Sequence, residues 1–323
     1  LGAGAGVIKM AAENVAAFQK KWAEQVAPLF ARAERGTFTG QGGVPIAYAV
    51  FRNPDSHRSL TIIQGYSESM AKYQELISDF YRAGYSVYIY DHRGMGFSGR
   101  EVTNPQVVYV SDYRDYIEDA RYFLKQIVPA GEPRFLFAHS MGALVAAGLL
   151  ASEPGIVDAA VLNGPMFAIN TGNYPAAFAR AIVKANVSAG KGKEYAPGYA
   201  NNDFEAAKFS AQVTTHSEMR FEQQRRIYRQ YPITAMGGPS NNWVKVSMEA
   251  GDEVSAIAPS ITTRLLLLQA QDDRLVMPAA EVDFCKQAPH CELWTVPGAY
   301  HETWREIDSI RTPVVERITR FLR

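Results

Sequence analysis

The sequence predicts an α/β protein: a mostly parallel central sheet with helices on both faces and a helical cap inserted late in the chain. Three observations predict it. Apolar runs of strand length alternate with segments of helical spacing over residues 47–162 and again over 264–322, the pattern of a parallel sheet covered on both sides. The rhythm breaks between about 164 and 260, where Asn, Tyr and Arg abound and no apolar strand is evident. Finally, one buried strand runs into a helix through a single tight turn at His139-Ser140-Met141.

The elements follow in order. Residues 1–35 read as an N-terminal extension with an amphipathic helix: Val15, Phe18, Trp22, Val26, Leu29 and Phe30 keep helical spacing, with a kink at Pro28. This stripe packs on the body or, with Lys20 and Lys21 beside it, lies on a membrane surface. Strands are expected at Ala47–Phe51, Leu60–Gln64, Ser86–Tyr90, Arg134–Ala138, Ile156–Leu162, Arg264–Gln269 and Glu292–Val296. Helices are expected at Met70–Ala83, stopped by Gly84, and at Tyr113–Ile127, Met141–Ala151, Pro278–Ala288 and Ile307–Leu322. The core is therefore 36–163 with 261–323, and 164–260 is the cap or lid.

Composition narrows the function. With 33 basic and 33 acidic residues the formal net charge is zero, so nothing draws the chain toward nucleic acid. The two cysteines, Cys285 and Cys291, are too few for a disulfide framework and read as free thiols. With His290 they lack the spacing of a zinc site, and no metal is expected. No apolar run reaches the roughly 18–20 residues of a spanning helix. Leu1–Ile8 reads as a processed or added end, with Met10 as a candidate start. The expected compartment is the cytoplasm, with peripheral contact at a membrane surface as a further expectation.

The chemistry centres on Arg134-Phe-Leu-Phe-Ala-His-Ser-Met-Gly-Ala143. This is strand, sharp turn and helix, the G-x-S-x-G elbow that lifts a serine oxygen clear of a sheet. Gly142 supplies the second glycine and Ala138 replaces the first. The unpaired N–H of Met141 at the helix start suits an oxyanion. Helix capping is the competing reading of a lone serine there. An acid and then a histidine must follow in the chain. Only His301 follows a strand in a loop, Pro297-Gly-Ala-Tyr-His-Glu302, and the preceding strand ends at Asp272-Asp273-Arg274. Asp273 is assigned as the acid, with Asp272 in reserve. The loop Gly65-Tyr-Ser-Glu-Ser69 offers the Tyr66 N–H as a second oxyanion donor, with Glu68 as its anchor.

Together these residues resemble the lysophospholipase and monoacylglycerol lipase branch of the α/β-hydrolases. Asp91-His-Arg-Gly-Met-Gly-Phe-Ser98 is similar to that branch's D-H-R-G-x-G-x-S loop, Ala138–Gly142 to its elbow and Gly298–Glu302 to its histidine loop. Gly164–Phe167, Thr215–Ser217 and Gly237–Pro239 with Trp243 are similar to the inner-membrane lysophospholipases of Gram-negative bacteria. The family's acid directly precedes an arginine, which favours Asp273. The chain departs from the pattern at Gln64, where His is usual, and at Ser69, again in place of His, changes expected to alter pocket polarity. The resemblance implies a small ester or lipid substrate with one long acyl chain and no cofactor.

Rival readings are weaker. Gly94-Met-Gly-Phe-Ser-Gly99 is formally G-x-G-x-x-G, but Arg100–Pro105 continues as loop, so no helix N-terminus meets a pyrophosphate. Gly2–Gly6 has no strand before it. A short-chain esterase or thioesterase keeps the mechanism and changes the substrate; a non-catalytic binding module keeps only the fold. Met166, Phe167, Trp243 and Tyr300 are the candidate acyl contacts. The four arginines of Arg220–Arg229 read as a solvated helix face or as a site for a phosphate headgroup.

Overall fold

The computed structural model of the chain describes residues 12–323; the readings of Leu1–Ile8 and Met10 lie outside them. Eight strands, β1 (Glu34–Thr39), β2 (Pro45–Phe51), β3 (Ser59–Ile63), β4 (Ser86–Tyr90), β5 (Arg134–His139), β6 (Ala159–Asn163), β7 (Arg264–Ala270) and β8 (Cys291–Val296), form one sheet in the order β1-β2-β4-β3-β5-β6-β7-β8. The β1–β2 and β2–β4 pairs are antiparallel and all pairs from β4 to β8 are parallel. The helices are α1 (Val15–Lys21), α2 (Ala27–Ala31), α3 (Gln74–Arg82), α4 (Tyr113–Tyr122), α5 (Met141–Ser152), α6 (Ala176–Ser188), α7 (Glu218–Gln230), α8 (Asn241–Ile257), α9 (Pro278–Gln287) and α10 (Asp308–Phe321).

The central strands β3, β5, β6 and β7 are buried on both faces, which is why they read as continuous apolar runs. In β5, Leu136 and Ala138 enter the core shared with α4, α5 and α9, while Phe135 and Phe137 enter the one shared with α3 and α10. In β7, Leu265 and Leu267 take the first side and Leu266 and Leu268 the second. The expected α/β architecture is the one found. Between β6 and β7 lie α6, α7 and α8, and β6 and β7 still pair directly. The sheet therefore closes without that segment.

Several local expectations are corrected. The N-terminal helix does not run to Arg35: it ends at Ala31, and β1 begins at Glu34. That edge strand escaped notice because only Phe38 of its six residues is buried. Pro28 stands in the first turn of α2, behind a wide π turn at Trp22–Val26. A proline has no N–H to give the preceding turn, and the wider turn accommodates the loss. Phe18, Val26, Leu29 and Phe30 are buried, and Lys21 bonds Glu75 and Asp79 of α3 at 3.1 and 3.3 Å. The stripe is thus taken up by the body. Among the described residues no helix is long and apolar enough to cross a membrane.

The cysteines also differ from expectation. Cys285 on α9 and Cys291 at the start of β8 are joined in a disulfide, with Cα atoms 5.2 Å apart. The chain doubles back from helix to strand within six residues, which brings the two thiols together. Such bonds persist mainly in oxidising compartments, which removes the free-thiol argument for the cytoplasm.

Candidate active site

The site gathers at the C-terminal ends of β3, β5, β6, β7 and β8, where open α/β sheets place their ligands. Ser140 follows β5 with φ 54° and ψ −114°, a conformation L-residues avoid. Its neighbours hold it there. Its N–H donates to the Asn163 carbonyl (2.9 Å) and its carbonyl accepts from the Met166 N–H (3.1 Å). The helix that leaves the turn crosses so close to β3 that a Cβ on Gly142 would sit 2.3 Å from the carbonyl oxygens of Ile63 and Gln64. The second glycine is therefore obligatory, whereas Ala138 finds room for its methyl inside the core.

The structure brings the three expected side chains together. His301 Nε2 lies 2.9 Å from Ser140 Oγ, and its Nδ1 lies 2.7 Å from Asp273 Oδ2. The other Asp273 oxygen accepts from the Leu275 and Val276 N–H groups at 2.9 and 3.1 Å. Burial alone would raise this carboxyl; the bonds from His301, Leu275 and Val276 outweigh it and hold Asp273 below the ordinary carboxylate range. Asp272, the reserve choice, instead faces solvent and pairs with exposed Arg274 at 3.3 Å.

The N–H groups of Tyr66 and Met141 find no acceptor among the described residues. Glu68 anchors the Tyr66 loop: its Oε1 accepts from the Gly65 N–H (2.6 Å) and the Tyr73 hydroxyl (2.7 Å). The two departures from the family pattern do not face the cavity. Gln64 is buried and donates to the Tyr90 carbonyl and to Asp91, both at 2.7 Å, and Ser69 caps the turn at Met70. Their expected effect on pocket polarity is corrected accordingly.

The Asp91–Ser98 loop is scaffold. Asp91 accepts from the N–H groups of Met70 and Phe97 at 2.8 Å, yet burial raises its carboxyl to about 6. Arg93 clasps Asp119 in a bidentate pair at 2.7 and 2.9 Å. Its glycines turn a buried corner and offer nothing to a phosphate.

A charged cluster adjoins the serine. Ligand atoms of Glu68, His139 and Glu302 lie within 4.8 Å of one another, but Lys72 Nζ already bridges the two carboxylates at 2.8 and 2.6 Å. Arg305 Nε bonds the second oxygen of Glu302 at 2.6 Å. Beside it, a strap of the inserted segment is stitched to the histidine loop. The Glu302 N–H donates to the Thr214 carbonyl (3.1 Å), Thr215 Oγ1 donates to the Arg305 carbonyl (2.8 Å), and His216 Nδ1 bonds buried Glu306 (2.6 Å).

Ser140 and His301 open on a cavity of about 1030 Å³. Of the expected acyl contacts, Met166 and Trp243 line it, and Trp243 packs on Tyr66 with ring centroids 5.0 Å apart. Phe167 and Tyr300 do not. Phe167 packs on Phe284 in the core (4.5 Å), and Tyr300 stacks on His216 (3.8 Å) under the strap. Sequence reasoning missed Phe178, Ile182 and Val183 of α6 and Met248 of α8, which complete the apolar wall. Their helical spacing was the available signal. The arginine run is largely committed: Arg220 to Glu75, Arg229 to Glu205, and Arg225 to the Glu205 and Ala207 carbonyls.

The chain is similar to known proteins along most of its length. The family model described as serine aminopeptidase S33 matches residues 54–308. Lysophospholipase L2 of Escherichia coli K12 is 34% identical over 299 residues, covering 89% of this chain and 87% of its own. Monoacylglycerol lipase of Mycolicibacterium smegmatis is 28% identical, covering 84% and 90%. Among solved structures, a soluble variant of monoglyceride lipase from Saccharomyces cerevisiae superposes with a TM-score of 0.70 at 17% identity, covering 90% of this chain and 95% of that one. A carboxyl esterase from Bacillus coagulans gives 0.70 at 19% identity, covering 90% and 97%. A strained serine backed by a histidine and a buried carboxylate on a parallel sheet, matched along most of its length by such relatives, places this chain in the serine aminopeptidase S33 family of α/β-hydrolases.

Proposed function

We propose that this serine hydrolase cleaves the carboxylic ester of a lipid with a single acyl chain, a lysophospholipid or monoacylglycerol, with Ser140, His301 and Asp273 as its triad. The observation that carries the reading is Ser140, at φ 54° and 2.9 Å from His301 Nε2, opening on a cavity with an apolar wall. Ser140 Oγ attacks the acyl carbon as its proton passes to His301 Nε2, and Asp273 stabilises the imidazolium. The N–H groups of Tyr66 and Met141 take the oxyanion. His301 then gives the proton to the leaving alcohol, breaking the ester C–O bond. Water then gives a proton to the same imidazole as it attacks the acyl-enzyme, the acyl C–Oγ bond breaks as His301 returns that proton to Ser140 Oγ, and the fatty acid leaves.

The names of the relatives support the substrate class, and the wall from α6 and α8 supports a long chain over a short one. Residues 164–260 serve as the cap that supplies this wall. The cavity is at the upper end of the roughly 300–1000 Å³ usual for small-molecule sites.

Specificity constants for lysophospholipids, monoacylglycerols and nitrophenyl esters of graded length test the reading. Long single-chain lipid esters are expected to lead the series. A preference for acetyl or butyryl esters overturns the substrate class. Ser140→Ala is expected to lower kcat by about 10⁴–10⁶ and to abolish labelling by a fluorophosphonate; a labelled, active variant overturns the mechanism.

A further inference from the structure

A second imidazole stands against the triad. His139 is buried beside Ser140, with its ring centroid 4.9 Å from that of His301. A charge on His139 would oppose the imidazolium that His301 must form during turnover. Two carboxylates near it, Glu68 and Glu302, favour such a charge, while Lys72 and His301 oppose it. Something must decide its state.

The decision rests on Asn163, fully buried at the end of β6. Its Nδ2 lies 3.3 Å from the His301 carbonyl oxygen and 2.9 Å from His139 Nδ1, and its Oδ1 accepts from the Thr303 hydroxyl. A carbonyl only accepts, so the amide must present its NH₂ to His301 O. The same NH₂ then donates to His139 Nδ1, which must be unprotonated. We infer that Asn163 is a positioning residue that locks His139 as the neutral Nε2–H tautomer and ties the nucleophile turn to the base loop, leaving His301 as the one imidazole free to take the serine proton.

Two further observations agree. Burial, with the neighbouring His301, brings His139 down to about 4. The backbone of the same corner is shaped to the base: Gly164 has φ 51°, and a Cβ there would lie 3.0 Å from the His301 ring. One corner of the sheet thus touches the serine N–H, its neighbouring histidine and the base.

The inference rests on the triad proposed above, but its first test does not. In the wild-type protein, imidazole ¹⁵N resonances are expected to show His139 as neutral Nε2–H from pH 5 to 8. An Nδ1–H tautomer, or titration within that range, overturns the inference whatever Ser140 does. The second test is the near-isosteric Asn163→Asp, which removes the NH₂ and offers a carboxylate to His139 Nδ1. It is expected to lower kcat on the order of 10²-fold, to change KM by less than about threefold, and to add an ionisation near neutral pH to the kcat/KM profile. A variant that loses melting temperature but keeps a single ionisation overturns it, because a merely structural role predicts that result. If the wild type shows the tautomer but resists fluorophosphonate, the triad reading fails and the tautomer lock stands.

Discussion

At the scale of single residues, Gly142 is the least replaceable position in the site. A methyl there collides with two backbone oxygens of β3, and backbone cannot step aside as a side chain can. Gly142→Ala is expected to destabilise by about 1–3 kcal/mol and to displace Ser140 enough to lower kcat by about 10²-fold or more, read by urea melts and steady-state kinetics. Asp273→Asn should leave the fold intact and lower kcat by about 10⁴, since an amide can no longer fix the productive imidazole tautomer. Because Asp273 is held below the ordinary range, its carboxylate stays ionised as pH falls through 5, and wild-type activity lost there is not lost at this carboxyl. Ser140, Asp273 and His301 were legible because each follows an apolar strand in the order the chemistry demands. Asn163 was not, since an asparagine ending a strand looks like any turn residue until its three partners are seen in space.

At the scale of elements, the sequence disclosed what burial imposes and hid what pairing decides. Strands covered on both faces announced themselves, but β1, held by backbone bonds to β2 with one side chain inward, did not. The run Arg220–Arg229 shows the same limit, because charge alone does not tell a solvated face from a clamp. Arg220 is buried and bonds Glu75 at 2.8 Å and Asp308 at 2.7 Å, fastening α7 to α3 and α10. The arginines around Glu75 hold its carboxyl far below the ordinary range in spite of burial. Arg220→Ala takes the two-pronged bond from that carboxylate and leaves it Lys21 at 3.1 Å and Arg311 at 3.5 Å, and a loss of about 1.5–3 kcal/mol in denaturant unfolding is expected. The Cys285–Cys291 link closes a short loop, so its removal by Cys285→Ser with Cys291→Ser is expected to cost only about 2 kcal/mol. An equal melting temperature with and without reductant would show the bond to be absent in solution.

At the scale of the whole molecule, the inserted segment shapes the cavity and the core sets the pH response. Phe178 of α6 lines the cavity and is half exposed. Phe178→Asp puts a charge on the apolar wall proposed to hold the acyl chain. It is expected to lower kcat/KM for long-chain esters about tenfold, the scale of a methylene or two of apolar binding, and to spare acetyl esters. Stability carries a separate signature. Glu281 on α9 is fully buried, neither oxygen has a partner among the described residues, and burial with the nearby Asp273 charge raises it to about 9. Between its ordinary value of 4.5 and about 9 the folded chain holds a proton that the unfolded chain has released. Stability therefore falls as pH rises through that window. Glu281→Gln should be more stable than wild type by more than about 1 kcal/mol at pH 8, with the gain fading toward pH 4.5, as thermal melts across pH will show.

The stitching of Thr214–His216 to Glu302–Glu306 bears on how such enzymes can be recombined. In a chimera that borrows its roof from a relative, the crossover points cannot simply fall at β6 and β7, because the donor's strap would meet a foreign histidine loop. The two stretches, far apart in the chain, have to be inherited as a pair, or the imported roof will unseat the very imidazole it was meant to serve.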